Sequence, residues 1–424
     1  MTKPSNPSSP TPTPTMGRRS FLRKTSGAAM GLAALNVAQE AAAADAPPPQ
    51  IRRYRSLGKT GLEISDIGFG SGGCRTADLV RHCYDRGINY FDTAEMYRTE
   101  GWSTGEYVEK LIGDALEDKR DKVVIASKYV AEVKHDRAHI MKQLEASLRR
   151  MRTDYVDIFL NHAVNEPERM SSPEWQEFVA LAKKQGKIRF SGMSGHGGRL
   201  QECLDHVLDR DLADVILCSH NFGNDPAFYE RFTKHFDMVA NQKGISRLFA
   251  KARKKGVGVV VMKTQMGAKV NDLSVYQKDG ADFARAAFRW VFSDPNIDAA
   301  IVSMRNKTVA DNYISCSGDE TFAARDHDIL ERYVAEMSNE YCRPGCDACT
   351  SSCPEGVPIP DVLRQRMYEE RYGNPRMARQ GYARLGAAAS ACSTCTDQAC
   401  LGSCPYNLEI PKLTRATARR LATS

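Results

Sequence analysis

The sequence predicts a (β/α)8 barrel followed by a small, mainly helical, cysteine-rich domain. Between Tyr54 and Ser317, eight short apolar runs alternate with amphipathic stretches whose apolar residues recur every three to four positions. The glycine cluster from Gly68 to Gly73 at the end of the first run reads as a turn, and a doubly wound sheet is the alternative to the barrel. Beyond Ser317 the composition changes: eight of the thirteen cysteines fall between positions 342 and 404.

At 424 residues and 42% hydrophobic composition, the chain can bury one large core and one or two small ones. The formal net charge is +7, and residues 1–44 contribute Lys3, Arg18, Arg19, Arg23 and Lys24 against Glu40. The remainder holds 54 basic and 51 acidic residues, a net +3. So small an excess, with no dense Lys/Arg face, gives no support for nucleic-acid binding, and no nucleic-acid partner is expected.

The division expected is a signal peptide over 1–44, a linker over 45–53, the barrel over 54–320, a connecting helix over 321–340 and the cysteine domain over 341–424. A Pro/Ser/Thr-rich leader precedes Gly17-Arg18-Arg19-Ser20-Phe21-Leu22-Arg23-Lys24, an Ala/Gly-rich run to Val37, and small residues from Ala42 to Ala46. Paired arginines before Phe-Leu are the twin-arginine export signature. The run is too short and too weakly apolar for a stable membrane span. Export by this machinery implies folding in the cytoplasm, an inserted cofactor and a periplasmic or extracytoplasmic destination.

The predicted strands are Ile64 to Phe69, Asn89 to Thr93, Lys122 to Lys128, Val156 to His162, Ile188 to Ser194, Val215 to Asn221, Val257 to Lys263 and Ala299 to Met304. Helical patterns between them include Ala138 to Met151, Glu174 to Gln185, Arg199 to Asp209 and Phe283 to Phe292. Gly68, Gly70, Gly72 and Gly73 crowd the first turn and read as turn formers.

A barrel of this kind places its active site at the carboxyl ends of the strands. Asp92 closes the second strand and Tyr97 follows in its loop; Lys128 closes the third strand and His162 the fourth. Alone, an Asp there is commonly a helix cap and a His a satisfied polar group. Together they form a chemistry: reducing a carbonyl requires a proton donor, and a phenol near pKa 10 is a poor one unless its field is tuned. A lysine beside Tyr97 would lower its pKa, Asp92 would hold that lysine charged, and His162 would orient the substrate oxygen.

These segments resemble the aldo-keto reductases: Tyr54 to Leu62, Phe91-Asp92-Thr93-Ala94 with Tyr97, Ala126-Ser127-Lys128, Asp154 to His162, and Gly186-Lys187-Ile188-Arg189. The resemblance runs from about Arg52 to Ser317 in the family's order and spacing. It implies a barrel that binds NADP or NAD in extended form, with Asp92, Tyr97, Lys128 and His162 as its tetrad and Tyr97 as general acid. It also implies cofactor contacts at Ser194, Asn221, Ser303, Arg305 and Asn312. In the family a Ser-Asn pair and a Gln grip the nicotinamide carboxamide. Here Gly195 follows Ser194, Leu217 stands at the Gln position, and Met262-Lys263-Thr264 replaces a stacking aromatic residue. Thr308 replaces the usual basic residue that selects a 2′-phosphate. His196 and His220 stand near enough in the chain to substitute in the cradle.

The cysteines form two runs, Cys342-x3-Cys346-x2-Cys349-x3-Cys353-Pro354 and Cys392-x2-Cys395-x4-Cys400-x3-Cys404-Pro405. Each resembles the bacterial ferredoxin run, whose fourth cysteine crosses to the other cluster. That pattern implies one 4Fe–4S cluster on Cys342, Cys346, Cys349 and Cys404 and a second on Cys392, Cys395, Cys400 and Cys353. Two zinc sites or four disulfides are the alternatives. The other cysteines, Cys74, Cys83, Cys203, Cys218 and Cys316, read as buried small hydrophobes.

The function expected is an exported oxidoreductase that acts on a small carbonyl or alcohol with a nicotinamide cofactor. Its two clusters connect the barrel to a redox partner protein or staple the C-terminus. The alternative is an electron-transfer or redox-sensing protein whose barrel is a scaffold.

Overall fold

The computed structural model describes residues 47–422 except 101–103, 198, 225–243, 266–281, 338–341, 343–347, 371–374 and 405–406. The signal-peptide segment and Cys346 lie outside the described residues. Among the described residues, no helix is long and apolar enough to cross a membrane.

A hairpin of β1 (Tyr54–Ser56) and β2 (Glu63–Ser65) precedes a closed barrel of eight parallel strands. These are β3 (Ile67–Gly70), β4 (Tyr90–Asp92), β5 (Val124–Tyr129), β6 (Val156–Asn161), β7 (Ile188–Gly195), β8 (Val215–Ser219), β9 (Gly258–Met262) and β10 (Ala299–Ser303). The barrel closes where β10 pairs with β3. Strand residues alternate between two apolar layers, as the pleat requires. Tyr90, Val124, Ala126, Ile158, Leu160, Val215, Leu217 and Val260 fill the barrel interior. Phe91, Ile125, Phe159, Ile216, Cys218, Val259 and Val261 face the surrounding helices. Because both faces are buried, the strands read as continuous apolar runs.

The expected first strand, Ile64 to Phe69, is two elements. Asp66 breaks it: its carboxylate accepts from the Ile67 amide at 2.9 Å, the Ser317 hydroxyl at 2.7 Å and the Gly318 amide at 2.7 Å. The chain thereby leaves the hairpin, whose Leu57, Leu62 and Ile64 join the interior layer and plug the barrel, before the first barrel strand begins.

The helices around the barrel are α1 (Ala77–Asp85), α2 (Val108–Leu116), α3 (Arg137–Met151), α4 (Glu168–Ser171), α5 (Pro173–Lys184), α6 (Leu200–Asp209), α7 (Ser246–Lys255), α8 (Phe283–Phe292) and α9 (Lys307–Ser315). Several begin at side-chain caps that satisfy orphan amides. The Asp136 side chain accepts from His139 N at 2.7 Å, and Asn306 from Val309 N at 2.9 Å. The connecting helix, α10 (Ala324–Met337), is tied to α8 by Arg289, whose guanidinium reaches both Asp326 oxygens and Asp319.

The C-terminal segment contains α11 (Ile359–Glu370), α12 (Pro375–Arg384) and α13 (Ile410–Leu421). Val357, Ile359, Val362, Ala378, Tyr382, Leu408 and Ile410 form its own small core, together with Cys349, Cys392, Cys400 and Cys404. Its contacts with the barrel domain among the described residues include two. Met367 packs against the barrel's outer layer, and Arg376 Nη1 pairs with Glu100 Oε2 at 3.0 Å in the loop after β4.

Candidate active site

Asp92 is the last residue of β4, Lys128 stands one residue before the end of β5, and His162 follows β6. The parallel register pairs Asp92 with Ala126 and Lys128 with Leu160, which brings these ends to one rim. Lys128 Nζ donates to Asp92 Oδ1 at 2.6 Å and to Thr93 O at 2.5 Å, and both partners of this ion pair are almost fully buried. Tyr97 lies over the pair, its ring centre 5.3 Å from Lys128 Nζ and 5.9 Å from the His162 ring, edge-on. All four side chains of the expected tetrad therefore meet.

Burial dominates their electrostatics. It raises the Asp92 carboxyl against the opposing pull of Lys128, and it lowers the Lys128 ammonium against Asp92. The expectation that Lys128 lowers the Tyr97 pKa does not hold. Burial, and then the Asp92 charge, push the phenol well above 10. Tyr97 is a neutral donor throughout the ordinary pH range. His162 is held well below 6.5 by burial and then by Lys128, His196, Arg169 and Lys263, so its imidazole is neutral. Its Nδ1 is buried without a partner.

The turn after His162 is pinned by Arg169. Its buried guanidinium donates to His162 O at 2.8 Å, Ala163 O at 3.0 Å, Ala131 O at 2.9 Å and Asn161 Oδ1 at 2.5 Å. That arrangement makes Arg169 a clamp for the rim and leaves it little capacity for a ligand.

The cofactor candidates divide into two sets. At the nicotinamide end, Ser194 Oγ accepts from Ala163 N at 3.1 Å and Asn221 Oδ1 accepts from Gly223 N at 3.0 Å, so both side chains hold turns. A Cβ on Gly195 would lie 2.8 Å from Leu200 Cδ1 and 3.0 Å from Val164 O, which leaves no room for the family's Asn. Leu217 belongs to the interior apolar layer. His220 does not line the rim, since its ring lies 4.8 Å from Trp290 and 5.1 Å from Phe249, among the outer helices. At the other end the fit is better. Ser303 is exposed at the end of β10, Arg305 precedes α9, and Asn306 opens that helix as its cap. Asn312 Nδ2 donates to Asp282 at 2.9 Å, while its Oδ1 is buried without a partner.

The turn after β9 is the segment in which Met262-Lys263-Thr264 replaces the stacking aromatic residue expected by resemblance. Lys263 has φ of 61°, a left-handed conformation unusual for a side-chain-bearing residue. Thr264 Oγ1 and both amide atoms of Gln265 are buried without partners. The signal was present in that a polar Lys-Thr-Gln triplet ends an apolar strand at the catalytic rim.

In the C-terminal segment, Cys353, Cys392, Cys395 and Cys400 act on one another electrostatically. Burial, followed by its neighbours, raises the Cys392 thiol, and the same holds for Cys400. Cys349 and Cys404 are buried and Cys342 is half-buried in the same small core. Arg415 donates to Cys392 O at 3.1 Å and Cys395 O at 2.5 Å, fixing that cysteine loop against α13. No disulfide joins the twelve described cysteines.

Residues 74–271 match the Aldo/keto reductase family. The chain is 30% identical over 227 residues to an L-galactose dehydrogenase of Arabidopsis thaliana, across 49% of this chain and 63% of that protein. It is 22% identical over 325 residues to an L-glyceraldehyde 3-phosphate reductase of Escherichia coli, across 67% of this chain and 93% of that one. Two Bacillus subtilis relatives, an oxidoreductase and an aldo-keto reductase, are matched over 48% and 46% of their own length. A solved aldo-keto reductase of Bacillus halodurans superposes with a TM-score of 0.51 at 18% identity, over 66% of this chain and 95% of that one, and shows the fold. The family match spans β4 through β9, six of the eight strands of the closed barrel.

Proposed function

We propose that the protein is an exported oxidoreductase that interconverts a small carbonyl and its alcohol, with Asp92, Tyr97, Lys128 and His162 as the catalytic set. The observation that carries this reading is the convergence of a neutral phenol, a neutral imidazole and a buried ion pair at one barrel rim. Tyr97 gives its proton to the oxygen of the carbonyl as negative charge develops there. His162, neutral, donates a hydrogen bond to the same oxygen and fixes its direction. The Asp92–Lys128 pair holds a compensated charge beneath the phenol, so reaction does not have to reorganise solvent there.

A nicotinamide dinucleotide, NADP or NAD, supplies the hydride when bound. Ser303, Arg305 and the first turn of α9 would hold its phosphates, and the unmatched Asn312 Oδ1 suits an adenine amino group. The test is dinucleotide oxidation against a panel of aldehydes. Wild type turns over and Tyr97→Phe does not; equal rates would remove the mechanism.

The C-terminal segment is read as holding two 4Fe–4S clusters, one on Cys353, Cys392, Cys395 and Cys400 and the other on Cys342, Cys346, Cys349 and Cys404. The Cys-Pro that ends each run and the mutual electrostatic influence of Cys353, Cys392, Cys395 and Cys400 support clusters over zinc. Iron and sulfide analysis with absorption near about 400 nm tests this; a colourless zinc protein would refute it. Export through the twin-arginine machinery and a protein redox partner complete the proposal. A second reading, a barrel serving as scaffold for electron transfer or redox sensing, is favoured by the missing carboxamide grip at Gly195 and Leu217. Turnover that depends on Tyr97 excludes it.

A further inference from the structure

On the outer side of β5, three side chains that the proposed chemistry does not use meet at one point. Tyr129 ends the strand, and its buried ring belongs to the layer that faces the helices. His135 lies in the loop that follows and His139 in the first turn of α3. The Tyr129 hydroxyl oxygen is 2.8 Å from His139 Nε2 and 3.3 Å from His135 Nδ1. The two imidazoles stack with ring centres 4.8 Å apart and planes 27° from parallel, so one nitrogen of each ring turns to the same phenol. His135 is half-buried and His139 exposed, which leaves the cluster open to solvent on one side.

Helix capping does not require this arrangement, because the Asp136 carboxylate already caps α3 by accepting from His139 N at 2.7 Å. Nor is it a fully matched hydrogen-bond network. His135 Nδ1 accepts from the Glu132 amide at 3.2 Å and therefore carries no proton. The Gln143 amide nitrogen, a donor 3.5 Å from His139 Nε2, favours a bare nitrogen there too. Two lone pairs then face one phenol with a single proton to give. Burial and then the charges of Glu95 and Glu132 raise that phenol, so the surroundings favour a cation. The nearby Lys134 ammonium is turned to Glu132, 2.6 Å from its Oε2. The spacing suits a metal ion. Tetrahedral zinc, with bonds of about 2.0–2.1 Å, sets its ligand atoms about 3.3 Å apart, and right-angled coordination at that bond length sets them about 2.9 Å apart.

We propose that Tyr129, His135 and His139 form a site for a divalent transition ion that favours imidazole nitrogen, zinc(II) or copper(II), with solvent completing the coordination. The ion takes the place of the phenolic proton, which leaves to solvent, and is held by a tyrosinate oxygen and two neutral imidazoles. Its position gives it a structural consequence. Lys128 immediately precedes Tyr129, and His162 N donates to Tyr129 O at 2.8 Å. The ion would fasten the loop after β5 and the start of α3 to the strand end that carries two of the catalytic set. The site itself does not depend on the oxidoreductase reading.

The test is calorimetric titration of the full chain, without a histidine tag, with zinc chloride in two buffers of different ionisation enthalpy. Wild type should take up a zinc ion that His135→Gln and His139→Gln each weaken by at least about ten-fold, the size that even an outer-shell change at a metal site produces. Tyr129→Phe keeps the ring in place; it should weaken the same ion and remove the proton released on binding. His327→Gln, in the separate group of ligand atoms formed by His327, Asp328 and Glu331 on α10, should leave that ion unaffected. Zinc binding that is identical in wild type, His135→Gln and His139→Gln overturns the proposal, as does loss of the ion in His327→Gln alone. Undiminished proton release in Tyr129→Phe removes the phenol from the ligand set and overturns the three-residue site.

Discussion

His220 offers a quantitative test of how this barrel handles buried imidazoles. The residue is 2% exposed and sits between Trp290 and Phe249, at ring-centre distances of 4.8 and 5.1 Å. Burial lowers its pKa to about 3. In the unfolded chain the imidazole has its ordinary value near 6.5. Below that value the unfolded state takes up a proton that the native state refuses, so stability falls as pH drops through 6.5. At pH 5 the loss is 2.303RT times the logarithm of one plus ten to the 1.5, about 2 kcal/mol. Any native value below about 4 gives the same figure, so the result does not hinge on the depth of the shift. His220→Phe keeps a ring against Trp290 and removes the titration. Urea unfolding of both proteins at pH 7 and pH 5 should show wild type losing about 2 kcal/mol more than the variant, while all other titrations cancel in the double difference. A double difference below about 0.5 kcal/mol would show that the imidazole is protonated inside the barrel, and would refute the assignment of His220 to a dry aromatic box.

The catalytic set makes a related prediction. Tyr97 is pushed up and His162 pushed down, so kcat/KM should be flat from about pH 6 to 9; a bell with a limb inside that window would mean that one of them titrates there. Lys128→Met leaves Asp92 buried and unpaired and should cost about 3–5 kcal/mol of stability, with Asp92→Asn added to it restoring part of the loss in a double-mutant cycle. Gly195→Ala should destabilise by about 1–3 kcal/mol, since the new Cβ meets Leu200 at 2.8 Å; unchanged thermal stability would show that β7 can shift and that the missing Asn is not excluded by space.

Most of the barrel was legible because its signal is local. Apolar runs buried on both faces mark strands wherever they fall, and seven of the eight expected strands overlap a single barrel strand each. The exception, Ile64 to Phe69, failed because an apolar run carries no sign of a mid-run change in direction; Asp66 supplies it by accepting from Ser317 and Gly318, more than 250 residues away. The candidate tetrad was legible as residue types at strand ends. Its electrostatics were not, because the burial of the Tyr97 phenol and the Asp92 charge beside it come from the folded rim and not from the residue types. His220 shows the same limit: a strand-end histidine points inward or outward according to the pleat, and one residue of register moves it between rim and helix layer.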